Sequence, residues 1–243
     1  MVRVGRRAQL AEFTAPRHDV RIHASGIVGR ARVPVLQIVR VWMSSPTLYL
    51  IDDDAAVSRA LEAVGNLLRL PVLSFSSAES FLKFDFANAV GCLIVDIKLP
   101  GMNGLELQAA LRERSCELPV IVISGHADVP LAVEAMRLGA LTVLEKPFSL
   151  DRLKTHIQEA LELDRSSREI KQVREQARAR LATVTPRERE VLDLICRGQT
   201  NKQIAAQLHL TLRAIEDRRA RLMRRVGVTS LAELLALVQQ ADL

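Results

Sequence analysis

Three consecutive carboxylates, Asp52-Asp53-Asp54, follow directly on the apolar run LYLI, and another, Asp96, follows CLIV. Lys146 stands between Glu145 and Pro147 after ALTVL, and Ser124 follows VIVI ahead of Gly125. If these runs are parallel strands, their carboxyl ends share one edge, where open α/β sheets collect ligands. Asp52, Asp53 and Asp96 against the single Lys146 ammonium then leave about −2 in a small cleft at neutral pH. Such a cluster repels itself unless carboxylate pKa values rise or a divalent cation enters, and hard oxygen donors suit Mg2+. With the charge offset, Asp96 becomes a carboxylate nucleophile for a phosphoryl group, and Lys146 and Ser124 are placed to hold the phosphate oxygens. Singly, each piece is ordinary: acidic runs cap helices, and Lys-Pro is a common turn. Their joint occurrence at four strand ends carries the argument.

Those strands are legible between Thr47 and Glu145. Apolar runs at Thr47–Ile51, Val72–Phe75, Cys92–Val95, Val120–Ile123 and Leu141–Leu144 alternate with amphipathic stretches such as Ala55–Leu68 and Leu105–Arg114. Short continuous apolar strands separated by helix-length segments indicate a parallel sheet covered on both faces. The fold class is α/β: a five-stranded doubly wound parallel sheet, flavodoxin-like, followed by a small all-α helix-turn-helix domain. A helix from Ser149 to Leu163 leads into a charged stretch, and Asp164 to Arg168 break its apolar rhythm, so 164–182 reads as a solvated helical linker.

The last 60 residues are punctuated as short helices. Thr185-Pro186-Arg187-Glu188, Thr200-Asn201-Lys202-Gln203 and Ser230-Leu231-Ala232-Glu233 are capping boxes, and Gly198 and Gly227 close helices. They predict helices over 186–197, 201–208, 212–226 and 231–240. His209-Leu210-Thr211 is the turn a helix-turn-helix requires.

The net charge of +6 is segregated along the chain: +6 over 1–44, −6 over 45–163 and +6 over 164–243. The basic end suits a polyanion. Residues 1–42 have no helical or strand period, so 1–44 reads as a disordered extension with an alternative start at Met43, and a basic nucleic-acid arm is the rival. Cys92, Cys116 and Cys196 lack C-x-x-C spacing, the five histidines lack metal-ligand spacing, and no apolar stretch approaches the ~20 residues of a membrane helix. We expect a cytoplasmic protein with no membrane partner.

LYLIDDD, LIVDIKLPGMNGLEL, PVIVISGHADVPLAVEAMRLGA and LEKPF make residues 45–163 resemble a receiver domain of the FixJ type. The resemblance implies Asp96 as phosphoacceptor, Asp52 and Asp53 with Asp96 as Mg2+ ligands, and a further metal contact from the Lys98 backbone carbonyl. It also implies Ser124 as switch hydroxyl and Lys146 as phosphate-binding lysine before a cis peptide to Pro147. Asp54 is left as a helix cap. Where the family carries a switch aromatic, this chain has Val143, so coupling of Ser124 to an aromatic rotamer does not carry over.

Residues 183–243 resemble the LuxR-type helix-turn-helix through TVTPREREVLDLICRGQTNKQIAAQLHLTLRAIEDRRARLMRRVGV. Stepping residues 212–226 at 100° puts Leu212, Ile215, Leu222, Met223 and Val226 on a core stripe. Arg213, Asp217, Ala220, Arg221 and Arg224, with neighbouring Glu216, face the DNA major groove. Arg219 falls beside the core, where it is expected to snorkel or to pair with an acid of the first helix, such as Glu188, rather than read a base.

A DNA-binding transcriptional regulator phosphorylated by a sensor histidine kinase, a homodimer when phosphorylated and not an enzyme, is the expectation. Two alternatives stay open. One is a DNA binder with a degenerate receiver, which Val143 makes conceivable. The other, a phosphoaspartyl phosphatase, is disfavoured because such hydrolases need a second acid two residues after Asp96, where this chain has Lys98.

Overall fold

The computed structural model describes residues 13–14, 20–23, 45–86, 88–125 and 129–242. The chain divides into two compact units, Met1–Arg165 and Ser166–Leu243. In the first, five parallel strands are β3 (Thr47–Ile51), β4 (Val72–Phe75), β5 (Gly91–Asp96), β6 (Val120–Ser124) and β7 (Ala140–Glu145). Between them run α1 (Ala55–Leu68), α2 (Ala78–Leu82), α3 (Gly104–Glu113) and α4 (Val129–Arg137), and α5 (Leu150–Ala182) follows.

Every residue of β3, β4, β5 and β6 is buried, because helices cover both sheet faces. Successive residues alternate between two cores. Tyr49, Ile51, Leu93, Val95 and Val122 pack with Phe81, Leu107 and Ala135 of α2, α3 and α4. Leu48, Leu50, Ile94, Ile121 and Ile123 pack with Leu61 of α1 and Leu153 and Ile157 of α5. This double burial is why the strands read as unbroken apolar runs.

The N-terminal extension requires a correction. It supplies β1 (Phe13–Thr14) and β2 (Val20–His23), and among the described residues the sheet has seven strands in the order β1-β2-β4-β3-β5-β6-β7. β2 pairs antiparallel with β4, from Val20 opposite Phe75 to His23 opposite Val72. The outer side of β4 is an edge whose amides and carbonyls accept another strand, and backbone pairing demands no long apolar period. The remainder of 1–44 lies outside the described residues.

A second correction concerns the linker. Asp164 is buried, and its carboxylate accepts a 3.0 Å hydrogen bond from the Gly91 N–H at the start of β5. It belongs to the first unit. In the second unit Ala177, near the end of α5, is buried against the terminal helices, so that end is not a free solvated helix either.

The second unit holds α6 (Pro186–Cys196), α7 (Asn201–Gln207), α8 (Leu212–Val226) and α9 (Leu231–Asp242), close to the helices expected. The boxes at Thr185 and Thr200 are both formed, and Gly227 ends α8 in a left-handed cap. The third box differs. Ser230 Oγ accepts the Glu233 N–H, but the Glu233 carboxylate reaches back one residue further, to the Thr229 N–H at 2.8 Å.

Candidate metal centre and nucleic-acid interface

The carboxyl ends of β3 and β5 deliver Asp52 and Asp96, both buried, and Asp53 stands exposed beside them. One carboxylate oxygen from each lies within 4.8 Å of the others, a donor set that suits a hard divalent cation. From the end of β7, Lys146 Nζ donates to Asp96 Oδ2 at 2.6 Å and to Asp52 Oδ2 at 2.9 Å. The Lys146–Pro147 peptide is cis, and the Lys146 N–H donates to the Ser124 carbonyl at 2.8 Å. Ser124 is buried at the end of β6.

Electrostatics follows burial. Desolvation raises the Asp52 pKa, outweighing the Asp54 N–H and the Lys146 ammonium, which favour the carboxylate. Burial opposes the Lys146 charge, but its bonds to Asp96 and Asp52 more than compensate and its pKa is raised. Backbone amides also hold the acids: the Asp54 N–H donates to Asp52 Oδ1 at 2.7 Å, and the Lys98 N–H to Asp96 Oδ1 at 3.1 Å. Asp54 caps α1, accepting from the Ala56 N–H. Behind Asp96 the chain folds back so closely that a Cβ at Gly104 would collide with the Asp96 carbonyl oxygen. Only glycine fits there.

In the second unit α8 buries Ile215, Leu222 and Val226, with Met223 packed beside them. Leu212 departs from the expected stripe: at the first turn it is 48% exposed, because the core does not extend beneath the start of α8. Arg213, Glu216, Asp217, Ala220, Arg221 and Arg224 are all exposed. Among the described residues none of Arg213, Arg221 and Arg224 has an ion-pair partner, leaving three guanidinium groups free for phosphates or guanine edges. Arg219 also departs from expectation, bonding Asn201 Oδ1 at 2.8 Å. Glu188 instead pairs with Arg225, whose Nε lies 2.9 Å from its carboxylate. Arg225, the actual partner of Glu188, lies about 1.7 helical turns beyond Arg219.

The chain matches the family model of the response regulator receiver domain over residues 48–158, and that of the luxR family of bacterial regulatory proteins over residues 182–238. It is 37% identical over 196 residues to the transcriptional regulatory protein FixJ of Bradyrhizobium diazoefficiens, spanning 81% of this chain and 96% of that one. This chain belongs to the FixJ-type response regulators. Response regulator protein TodT of Pseudomonas putida is 35% identical over 193 residues, 79% of this chain and 85% of TodT. The structure of response regulator StyR superposes with a TM-score of 0.72 at 36% identity, covering 80% of this chain and 98% of StyR. As a FixJ-type regulator the chain is a DNA-binding transcription factor controlled by phosphorylation.

In this FixJ-type chain the three acids and Lys146 converge, Ser124 ends the strand beside them, and Lys98, whose side chain is exposed, donates its backbone N–H to Asp96. Val143 is partly buried against the α2–α4 core. Sequence reasoning overlooked Glu79 at the start of α2, whose carboxylate accepts the Met102 N–H at 2.9 Å and holds the loop between Asp96 and α3. That bond lowers the Glu79 pKa. It joins residues 23 apart. No local pattern announces such a bond.

Proposed function

We propose that Asp96 accepts a phosphoryl group from a sensor histidine kinase, with Asp52, Asp53, Asp96 and the Lys98 carbonyl holding Mg2+. The observation that carries this reading is the convergence of three carboxylates with Lys146 Nζ only 2.6 Å from Asp96. An Asp96 oxygen attacks phosphorus, the bond from phosphorus to the donor imidazole breaks, and its electron pair stays on the departing nitrogen. Mg2+, when bound, offsets the charge of the acids and of the incoming phosphoryl oxygens. Lys146 exchanges its contact with Asp96 for one with a phosphoryl oxygen, and the Ser124 hydroxyl supplies a further donor. The intact acid–lysine cluster favours this over a degenerate receiver.

The output is DNA recognition through α8, with Arg213, Arg221 and Arg224 on phosphates or guanine and Glu216 and Asp217 available to cytosine amino groups. The phosphorylated chain pairs with a second copy. On α4 the apolar residues Val129, Val133 and Met136 are 76%, 45% and 50% exposed and share one helix face, which a partner would cover. The test is labelling by a small-molecule phosphodonor in Mg2+. The wild-type chain takes up a label labile to hydroxylamine, as an acyl phosphate is, and Asp96→Asn takes up none while keeping its fold. Undiminished labelling of the variant, or labelling in excess chelator, contradicts the assignment.

A further inference from the structure

The helix that carries the chain into the second unit also grips its far end. Ala177 is 2% exposed and sits in the core formed by α6 to α9, with Leu181 packed beside it. Two arginines lie between these anchors in the chain. Arg178 Nε donates to the Ala241 carbonyl in α9 at 2.9 Å. Arg180 Nε donates to the Val226 carbonyl at 2.8 Å, and its Nη2 to the Gly227 carbonyl at 3.0 Å. The last carbonyls of a helix lack intrahelical partners and form the negative end of its dipole. A guanidinium, charged and with donors in a fixed fork, satisfies two of them at once.

The two caps serve different helices. Arg178 closes α9, which carries none of the residues assigned to DNA. Arg180 closes α8, the helix bearing Arg213, Glu216, Asp217, Arg221 and Arg224. Side chains within the four-helix module also hold α8: Arg219 bonds Asn201 of α7, and Arg225 pairs with Glu188 of α6. Arg180 is the additional grip, from α5, and it acts on the helix end farthest from Arg213. The fifteen residues of α8 span about 20 Å at ~1.5 Å per residue, so a tilt of ~5° at the gripped end moves Arg213 by roughly 2 Å. Hydrogen bonds to base edges do not survive such a displacement.

We propose that Arg180 is a positioning residue for DNA reading: it touches no base, and through the Val226 and Gly227 carbonyls it sets the orientation of α8. This rests on the assignment of α8 as the reading helix.

The test uses the full chain and a duplex enriched from a random pool by the wild-type protein, with an unrelated duplex of equal length beside it. Binding is followed by fluorescence anisotropy across a salt series, at a temperature where circular dichroism shows every variant folded. Arg180→Ala is expected to weaken the enriched duplex by about tenfold, within the range of a misread base pair, and to leave the unrelated duplex and the log–log salt slope unchanged. Arg180→Lys, which reaches one carbonyl but cannot fork to two, shows a smaller loss. Arg178→Ala, which uncaps α9, binds both duplexes as the wild type does. Equal losses for Arg178→Ala and Arg180→Ala would reduce the role to general stability and overturn the proposal. Weakening on both duplexes with a slope lower by ~0.9 would make Arg180 a direct phosphate contact and overturn it too. Wild-type affinity in Arg180→Ala would overturn it outright. Should alanine substitution of Arg213, Arg221 and Arg224 leave specific binding intact, the fault lies instead with α8 as the reading helix.

Discussion

Lys146→Ala offers a test of the acidic pocket that does not depend on phosphotransfer. The Lys146 ammonium bridges Asp52, whose side chain is fully buried, and Asp96, whose side chain is 8% exposed. Removing one partner from a buried ion pair costs about 3–5 kcal/mol. Here the lysine side chain is 20% exposed, so water screens part of the loss and we expect roughly 2–3 kcal/mol. For a unit of this size, 1 kcal/mol moves Tm by ~2–4 °C, so the first unit should melt about 5–10 °C lower in chelator. The pocket also becomes more anionic, which favours a divalent cation. At about 100 times its dissociation constant Mg2+ adds ~2.7 kcal/mol, enough to return the variant close to wild-type stability. In the wild type Mg2+ meets a competing ammonium, so at equal concentration it raises Tm less. The pH dependence has a definite sign. Burial raises the Asp52 pKa, so the folded state loses stability as pH rises from the ordinary value of 3.8 through the raised one. Without Lys146 that loss extends to higher pH. Scanning calorimetry of both proteins, in chelator and in Mg2+, reads all of this. A variant as stable as wild type in chelator, or an equal Mg2+ response in the two proteins, refutes the electrostatic account.

Leu222→Ala removes a fully buried side chain and should destabilise the second unit by about 2–5 kcal/mol. Leu212→Ala, at the exposed start of α8, should cost less than about 1 kcal/mol; comparable losses in urea titrations of the two would contradict the core boundary described above. Alanine at Arg213, Arg221 or Arg224 should lower the log–log salt slope of DNA binding by ~0.9 where the side chain contacts a phosphate. Where it contacts guanine, the substitution should instead relax specificity at one position by about 1–3 kcal/mol. Three variants with unchanged slope and specificity would move the DNA surface off α8.

The parts of this fold that were legible in the sequence share a physical cause. A strand buried on both faces must be apolar at every position, so β3 to β6 stand out as unbroken runs. The acids follow those runs directly because the pocket lies just beyond the sheet's carboxyl edge, which made Asp52, Asp53, Asp96, Ser124 and Lys146 visible together. Helix ends in the second unit were visible because capping is local: Thr185 and Glu188 meet within one turn. By contrast β2 binds the sheet through its backbone at an edge, and backbone pairing imposes little on residue type.

What stayed hidden is partner choice among like charges. The α8 sequence LRAIEDRRARLMRRV carries six arginines, and 100° stepping separates inner from outer without saying which arginine finds which acceptor. Arg219 lies beside the core stripe, yet the acceptor in reach is Asn201 Oδ1, while Glu188, already holding the Thr185 N–H at 3.0 Å, lies beside Arg225. The carboxylate goes to the arginine that meets it at the capping box, because there it satisfies the amide, the Thr185 hydroxyl and the guanidinium at once. Arg178 and Arg180 were hidden for a related reason. Their acceptors are backbone carbonyls 63 and 46 residues away, and a carbonyl carries no sequence signature. The same two bonds tie the end of α5 to the helices that follow it. A charged, helix-favouring stretch looks like a spacer until its arginines are seen to close the ends of other helices, and from Ala177 onward this one is part of the domain it was expected only to tether.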